Sequence, residues 1–238
     1  MSDDSDSSPP SSPLSPSSST SSLPRSTHTS NTTSSSSSSS SRGSVVAGTP
    51  PSDYEHFLSI PWCAARLQGP GLVVRTPPSR TAKADGEDAL FGETLRSRET
   101  VLAMAAAWDA PGPGALVDAV TLFLTLGPGL AGHAGACHGG AVAALLDEAA
   151  GLLATVNLPA AARRRGASAA ALPPGPYVTA YLNTTYLRPV PTCATVLARA
   201  RFLRVEGRKY LAEAWIEDVR GRTLAHAEAL YVRVKSVL

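Results

Sequence analysis

The sequence predicts an α+β fold in which one long helix is buried against a single antiparallel sheet. Three observations predict it. A glycine-rich approach (Gly127, Gly129, Gly132, Gly135) leads into a helical segment over residues 139–156. That segment is followed by four alternating runs over 177–187, 195–205, 209–217 and 222–234. Short turns at Glu206-Gly207 and Arg220-Gly221 join the last three runs, the spacing of an antiparallel meander. One helix before a run of strands reads as a helix laid on one sheet face.

The first 50 residues stand apart. They are mostly Ser, Thr and Pro and include an unbroken serine run from Ser34 to Ser41. Such a segment cannot bury enough apolar surface to offset the entropy of ordering it, so a disordered tail is expected before one domain over 51–238. Ser8-Pro9, Ser12-Pro13 and Ser15-Pro16 are formal proline-directed phosphorylation sites, read as incidental in a spacer.

Within the domain, residues 53–67 read as a short amphipathic helix interrupted at Pro61, with Phe57, Ile60, Trp62 and Leu67 available for docking. Residues 70–87 read as loop. Over 94–108 helix and strand fit equally, and Leu116 to Leu126 alternates as a strand. Asn157-Leu158-Pro159 is expected to end the long helix, and 160–176 to form a loop carrying Arg163, Arg164 and Arg165.

Composition removes several function classes. A net charge of +2 is too near neutral for a nucleic-acid binder. No apolar run is expected to reach the roughly 18 residues of a membrane span. Three cysteines without CxxC spacing, and no signal-like N-terminus, fit a cytoplasmic protein with neither structural zinc nor disulfides.

The chemistry concentrates on the helix. On a helical wheel Val142, Leu145, Leu152, Leu153 and Val156 share one side. Asp147 sits among Gly140, Ala143, Ala144, Ala150, Gly151 and Ala154, all small. A solvated face would carry Lys and Glu instead. Two readings fit this lone carboxylate: a structural Asp bonded to a neighbouring loop or subunit, or a desolvated general base. His138-Gly139-Gly140 opens the helix where backbone N–H groups lack intrahelical partners, a place suited to an anionic oxygen. Adjacent Cys137 and His138 are poorly placed to act as a nucleophile pair. Glu148 projects about 100° from Asp147, against a shared role. His226 and Glu228 on one strand face read as a structural cross-strand pair.

HGGAVAALLDEAAG (138–151), YVTAYLNTTYLRPVP (177–191) and VEGRK (205–209) together resemble acyl-CoA thioesterases of the hotdog fold, PaaI-like branch, in order and at fitting distances. The resemblance runs from about Leu116 to Val234, and the 57–67 segment is similar to fungal-type members. It implies a long helix wrapped by a five- or six-stranded antiparallel sheet, and a homodimer or homotetramer with sites between subunits. It further implies hydrolysis of acyl-CoA to free acid and CoA without a cofactor or metal. Asp147 would activate water or attack the thioester, the Gly140 N–H would hold the oxyanion, His138 would order the loop or contact the carbonyl, and Thr179 would position water. Gly139, Asn183, Thr185, Arg188, Gly207, Arg208 and Lys209 are the candidates for binding substrate. The long 157–176 stretch departs from compact relatives. Two other functions compete: a hotdog dehydratase or hydratase, which wants a His near the acid, and a non-catalytic acyl-CoA-binding or scaffold protein.

Overall fold

A computed structural model describes residues 52–113, 115–163 and 172–235, with the side chains of 159–163 left aside. The expected tail, and Arg164 and Arg165, lie outside the described residues.

Ser52 and Glu55 form a reciprocal capping box that starts α1 (Asp53–Leu58), and Pro61 opens a separate helix α2 (Pro61–Leu67). The interruption expected at Pro61 divides the segment into two helices, because Pro61 cannot donate into a continuing helix but suits a first turn. β1 (Leu72–Arg75) pairs with β2 (Val101–Asp109), which pairs with β3 (Ala119–Leu126). A small ribbon of β4 (Ala131–His133) and β5 (Ala136–Cys137) precedes α3 (Gly139–Arg163). β6 (Tyr177–Tyr186), β7 (Ala194–Glu206), β8 (Lys209–Glu217) and β9 (Thr223–Arg233) complete an antiparallel sheet ordered β1-β2-β3-β7-β8-β9-β6.

Seven strands replace the expected five or six. The extra one is β1, four residues between Gly71 and Pro77, too short for its alternation to show. The ambiguous 94–108 stretch resolves as β2, because its alanines suit a sheet covered on both faces.

α3 lies in the concave face. Its Leu145, Leu146, Ala149 and Leu153 are buried against Val196, Ala212, Ala214, Ala227 and Ala229. Alanines across β8 and β9 let the helix approach closely, which is how a 25-residue helix becomes a core element. Contrary to expectation, Gly139–Leu158 is long and apolar enough by composition to cross a membrane, but this stretch is the packed centre of the domain. The outer face of β2, β3 and β7 takes Phe57, Cys63 and Leu67 onto Ala103, Ala105, Ala107, Phe123 and Leu197.

The helix does not stop at Asn157. The Asn157 amide donates to the carbonyls of Leu153 (2.7 Å) and Val117 (3.0 Å), and its oxygen accepts from the Val117 N–H at 2.8 Å. A residue that usually competes with helix backbone instead ties α3 to the chain entering β3, and the helix runs on to Arg163.

A second buried tie fixes the N-terminal segment. Arg80, 1% exposed, donates to Asp53 Oδ2 (3.0 Å) and to the carbonyls of Val101 (2.7 Å) and Leu102 (3.1 Å). The same Asp53 oxygen accepts the Met104 N–H. One ion pair thus joins α1, the Pro78–Arg80 turn and β2.

Candidate functional site

Asp147 faces the sheet from the middle of α3. The Thr179 hydroxyl donates to its Oδ1 at 3.0 Å and lies 3.3 Å from Oδ2. The Tyr231 hydroxyl is 2.6 Å from Oδ1 and 2.7 Å from the Asp147 main-chain carbonyl. Oδ1 is thereby contacted by two hydroxyls, and Oδ2 only by the longer reach of Thr179. Tyr231 stacks on Tyr210, with ring centroids 4.7 Å apart, and the Tyr210 hydroxyl reaches the Ala150 carbonyl. Burial pushes both phenols far up, so they remain hydrogen-bond donors at all working pH. Sequence reasoning missed Tyr231. The signal was present: it ends the inward row Ala225, Ala227, Ala229 of β9, where a bulky polar residue stands out.

Thr179 meets Asp147, but Asn183 and Thr185 do not share its face, although all three alternate in sequence as residues of one face would. Thr179 pairs with Tyr231 and Tyr181 with Leu230, so Ala180 is an extra residue, a β-bulge. Beyond it the alternation reverses. Leu182, Thr184 and Tyr186 turn to the helix side, while Asn183 and Thr185 stand opposite Glu228 and His226 on the outer face. His226 and Glu228 are thus remote from Asp147, and Glu228 accepts from the Tyr181 hydroxyl at 2.8 Å.

His138 caps α3. Its Nδ1 accepts the Gly140 N–H at 3.0 Å, and its carbonyl takes the Val142 N–H. A Cβ on Gly132 would lie 2.8 Å from the His138 Cα, so glycine is required there for the cap to seat. The Gly140 donor, expected to hold an oxyanion, is therefore taken by the imidazole. The Gly139 N–H has no partner among the described residues, and its carbonyl accepts from the Tyr186 hydroxyl at 2.9 Å. Burial raises the Cys137 thiol to about 11, which keeps it a thiol rather than a nucleophile.

Gly139 and Asp147 are eight residues apart, about 12 Å along the axis. An oxyanion donor and a base must both lie about 3 Å from one reacting carboxyl-derived group. Within one chain they cannot flank the same carbonyl. The cationic candidates divide the same way. Arg188 donates to the Thr223 carbonyl at the start of β9, whereas the Gly207–Lys209 turn adjoins Val232 at its end. The two lie roughly 30 Å apart along the strand.

Glu148, beside the site, was set aside in the sequence. It accepts a short hydrogen bond from the Ser79 hydroxyl. Burial, with the like charges of Asp88 and Asp147, pushes its carboxyl up to about 7 despite that bond. The nearby cation, Lys83, is already paired with Glu87 and Asp88. Between pH 4.5 and 7 the unfolded chain has lost this proton while the folded chain keeps it. Stability therefore falls as pH rises through that window, by about 3 kcal/mol in all. Urea unfolding from pH 4.5 to 8 should show the decline, and E148Q should flatten it. An unaltered slope in E148Q would place the titration elsewhere.

With this geometry in hand, comparison with known proteins is informative. Residues 134–225 match the Thioesterase superfamily profile. Verlamelin biosynthesis protein B from Lecanicillium sp is 26% identical over 208 residues, covering 76% of this chain and 87% of its own length. Acyl-coenzyme A thioesterase THEM4 from Mus musculus is 29% identical over 106 residues, 44% of this chain; the chain spans 39% of that relative's length. Among solved structures, the E. coli PaaI protein from the phenylacetic acid degradation operon aligns at 17% identity and a TM-score of 0.39, covering 49% of this chain and 76% of its own. The profile match takes in the HGG-led entry, α3 and the strands from β6 to the start of β9, so it is this helix and the sheet around it that are similar to the thioesterase superfamily.

Proposed function

We propose that the chain hydrolyses acyl-CoA thioesters to free acid and CoA. The observation that carries this reading is the Asp147 carboxylate, whose Oδ1 takes the short contacts from Thr179 and Tyr231 while Oδ2 has only the longer 3.3 Å contact with Thr179. Oδ2 takes a proton from water as the water oxygen attacks the thioester carbonyl carbon. The carbonyl oxygen becomes an oxyanion at a free backbone N–H. The C–S bond then breaks, and the proton passes from Asp147 to the departing thiolate. Direct attack by the carboxylate would use the same oxygen.

The oxyanion donor comes from a second copy. Gly139 is too far from Asp147 in its own chain, and a two-fold pairing that runs the two α3 helices antiparallel brings each Gly139 toward the other chain's Asp147. β6 lies at the sheet edge with Val178, Tyr181 and Tyr186 exposed, a strand suited to pairing with its own copy. In such a dimer a CoA spanning the site meets Arg208 and Lys209 of the Asp147 chain and Arg188 of the Gly139 chain.

Complementation tests this arrangement. D147N lacks the base, and G139P lacks the donor while keeping a residue tolerated at a helix start. Each alone should be nearly inactive. Unfolding and refolding them together in equal amounts should restore about a quarter of wild-type thiol release, since half the dimers are mixed and each carries one intact site. No recovery from a demonstrably mixed dimer would sink the shared site.

A further inference from the structure

Next to the Asp147 carboxylate a cavity of about 320 Å³ runs along the C-terminal half of α3, within the size range of small-molecule pockets. Gly151, Leu152, Thr155 and Leu158 form its helix wall, and Tyr177, Tyr210 and Tyr231 its sheet wall. Pro78, Ser79 and Asp88 from the N-terminal segment close the other side. Tyr231 joins the two spaces, its ring lining the cavity while its hydroxyl holds Asp147. An acyl group whose carbonyl sits at Asp147 has this cavity as its adjoining enclosed space.

The cavity is not a plain hydrocarbon slot. Glu148 opens on it with Oε1 engaged by Ser79, and Oε2 has no hydrogen-bond partner among the described residues. Among the described residues no side-chain oxygen that is sealed from solvent lacks a partner, so Oε2 faces the open space. Lys83, also on the wall, is committed to Glu87 and Asp88 and does not reach it. Near neutral pH much of the Glu148 population carries a proton and offers both a donor and an acceptor. An unsubstituted chain would displace water from this oxygen and leave it unsatisfied. A chain bearing a hydroxyl replaces the lost bond.

Resting on the thioesterase reading, we propose that this cavity is the acyl pocket and that Glu148, supported by Ser79, selects acyl groups carrying a hydroxyl within the chain over unsubstituted chains of equal length. The closing wall from 78–88 is supplied by the segment that precedes the superfamily match.

The test uses matched saturated acyl-CoAs of one length, unsubstituted or with a hydroxyl moved along the chain, and an amino-substituted counterpart. For the wild-type chain kcat/KM should favour the best-placed hydroxyl about tenfold over the unsubstituted chain. E148L should bring that ratio close to one, and S79A should reduce it. E148Q, whose amide keeps a donor and an acceptor, should retain most of it. A wild-type ratio of one, a preference for the amino chain, or E148L lowering both substrates alike would overturn the proposal. Calorimetric binding of the same pairs to D147N separates the two readings. Preference in binding without wild-type turnover defeats hydrolysis alone, and binding without preference defeats the pocket.

Discussion

Replacing Asp147 with asparagine is expected to lower kcat for acyl-CoA hydrolysis by about 10²–10⁴-fold, with the urea unfolding midpoint close to wild type. Asparagine keeps the volume and an oxygen to accept from Thr179 and Tyr231, so the site stays assembled. What it lacks is a basic oxygen at the Oδ2 position. The two hydroxyls should give a graded series beneath this loss. Y231F keeps the ring stacked on Tyr210 but removes a donor to a charged acceptor, an interaction of about 1.5–3 kcal/mol, and should lower kcat at least tenfold with little change in KM. T179A should do less, because its contacts are longer. Thiol release measured over a range of substrate concentrations decides the matter, and full turnover in D147N would remove Asp147 from the chemistry.

The largest effect on stability is expected at Asp53, far from that chemistry. D53A should lower the unfolding free energy by about 3–5 kcal/mol, read from urea titration. The loss does not measure the attraction of the pair. Arg80 is 1% exposed, and with Asp53 gone its guanidinium keeps only carbonyl partners around a buried charge. The Met104 N–H loses its acceptor in the same step. Removing both charges in a D53L/R80M double variant should recover a good part of the deficit, since well-packed apolar groups often substitute for a buried pair. A D53A cost below about 1 kcal/mol would mean that the N-terminal segment is not held by this clamp.

Much of this architecture was legible from local pattern. The helix entry, the small-residue surroundings of Asp147 and the β7–β8–β9 meander follow from glycine placement and from periods of 3.6 and 2. The misreadings share a cause, which is contact between residues distant in sequence. Asn157 looked like a helix terminator because its bonds to Val117 lie forty residues away. Ser79 and Glu148 are 69 residues apart, so nothing near Glu148 announced a partner. Tyr231 reaches Asp147 across 84 residues. Thr179, Asn183 and Thr185 alternate in sequence as one face would, and a single unpaired alanine undoes the pattern without leaving a trace in composition. The Gly139–Asp147 distance was a matter of arithmetic on the helix, but its consequence needs a second molecule to appear.

That unpaired alanine reaches further than the misreading it caused. β6 is read in two frames: before Ala180 the odd-numbered positions face the helix, and after it the even-numbered ones do. The hydroxyl that serves Asp147 and the side chains that face outward from the strand therefore sit on opposite phases of one continuous segment. Loss of Ala180 would close the bulge and leave Thr179 opposite Tyr231 and Leu182 opposite Ala229, so the facing of each half of β6 is set by its partner strand and not by its own count of residues.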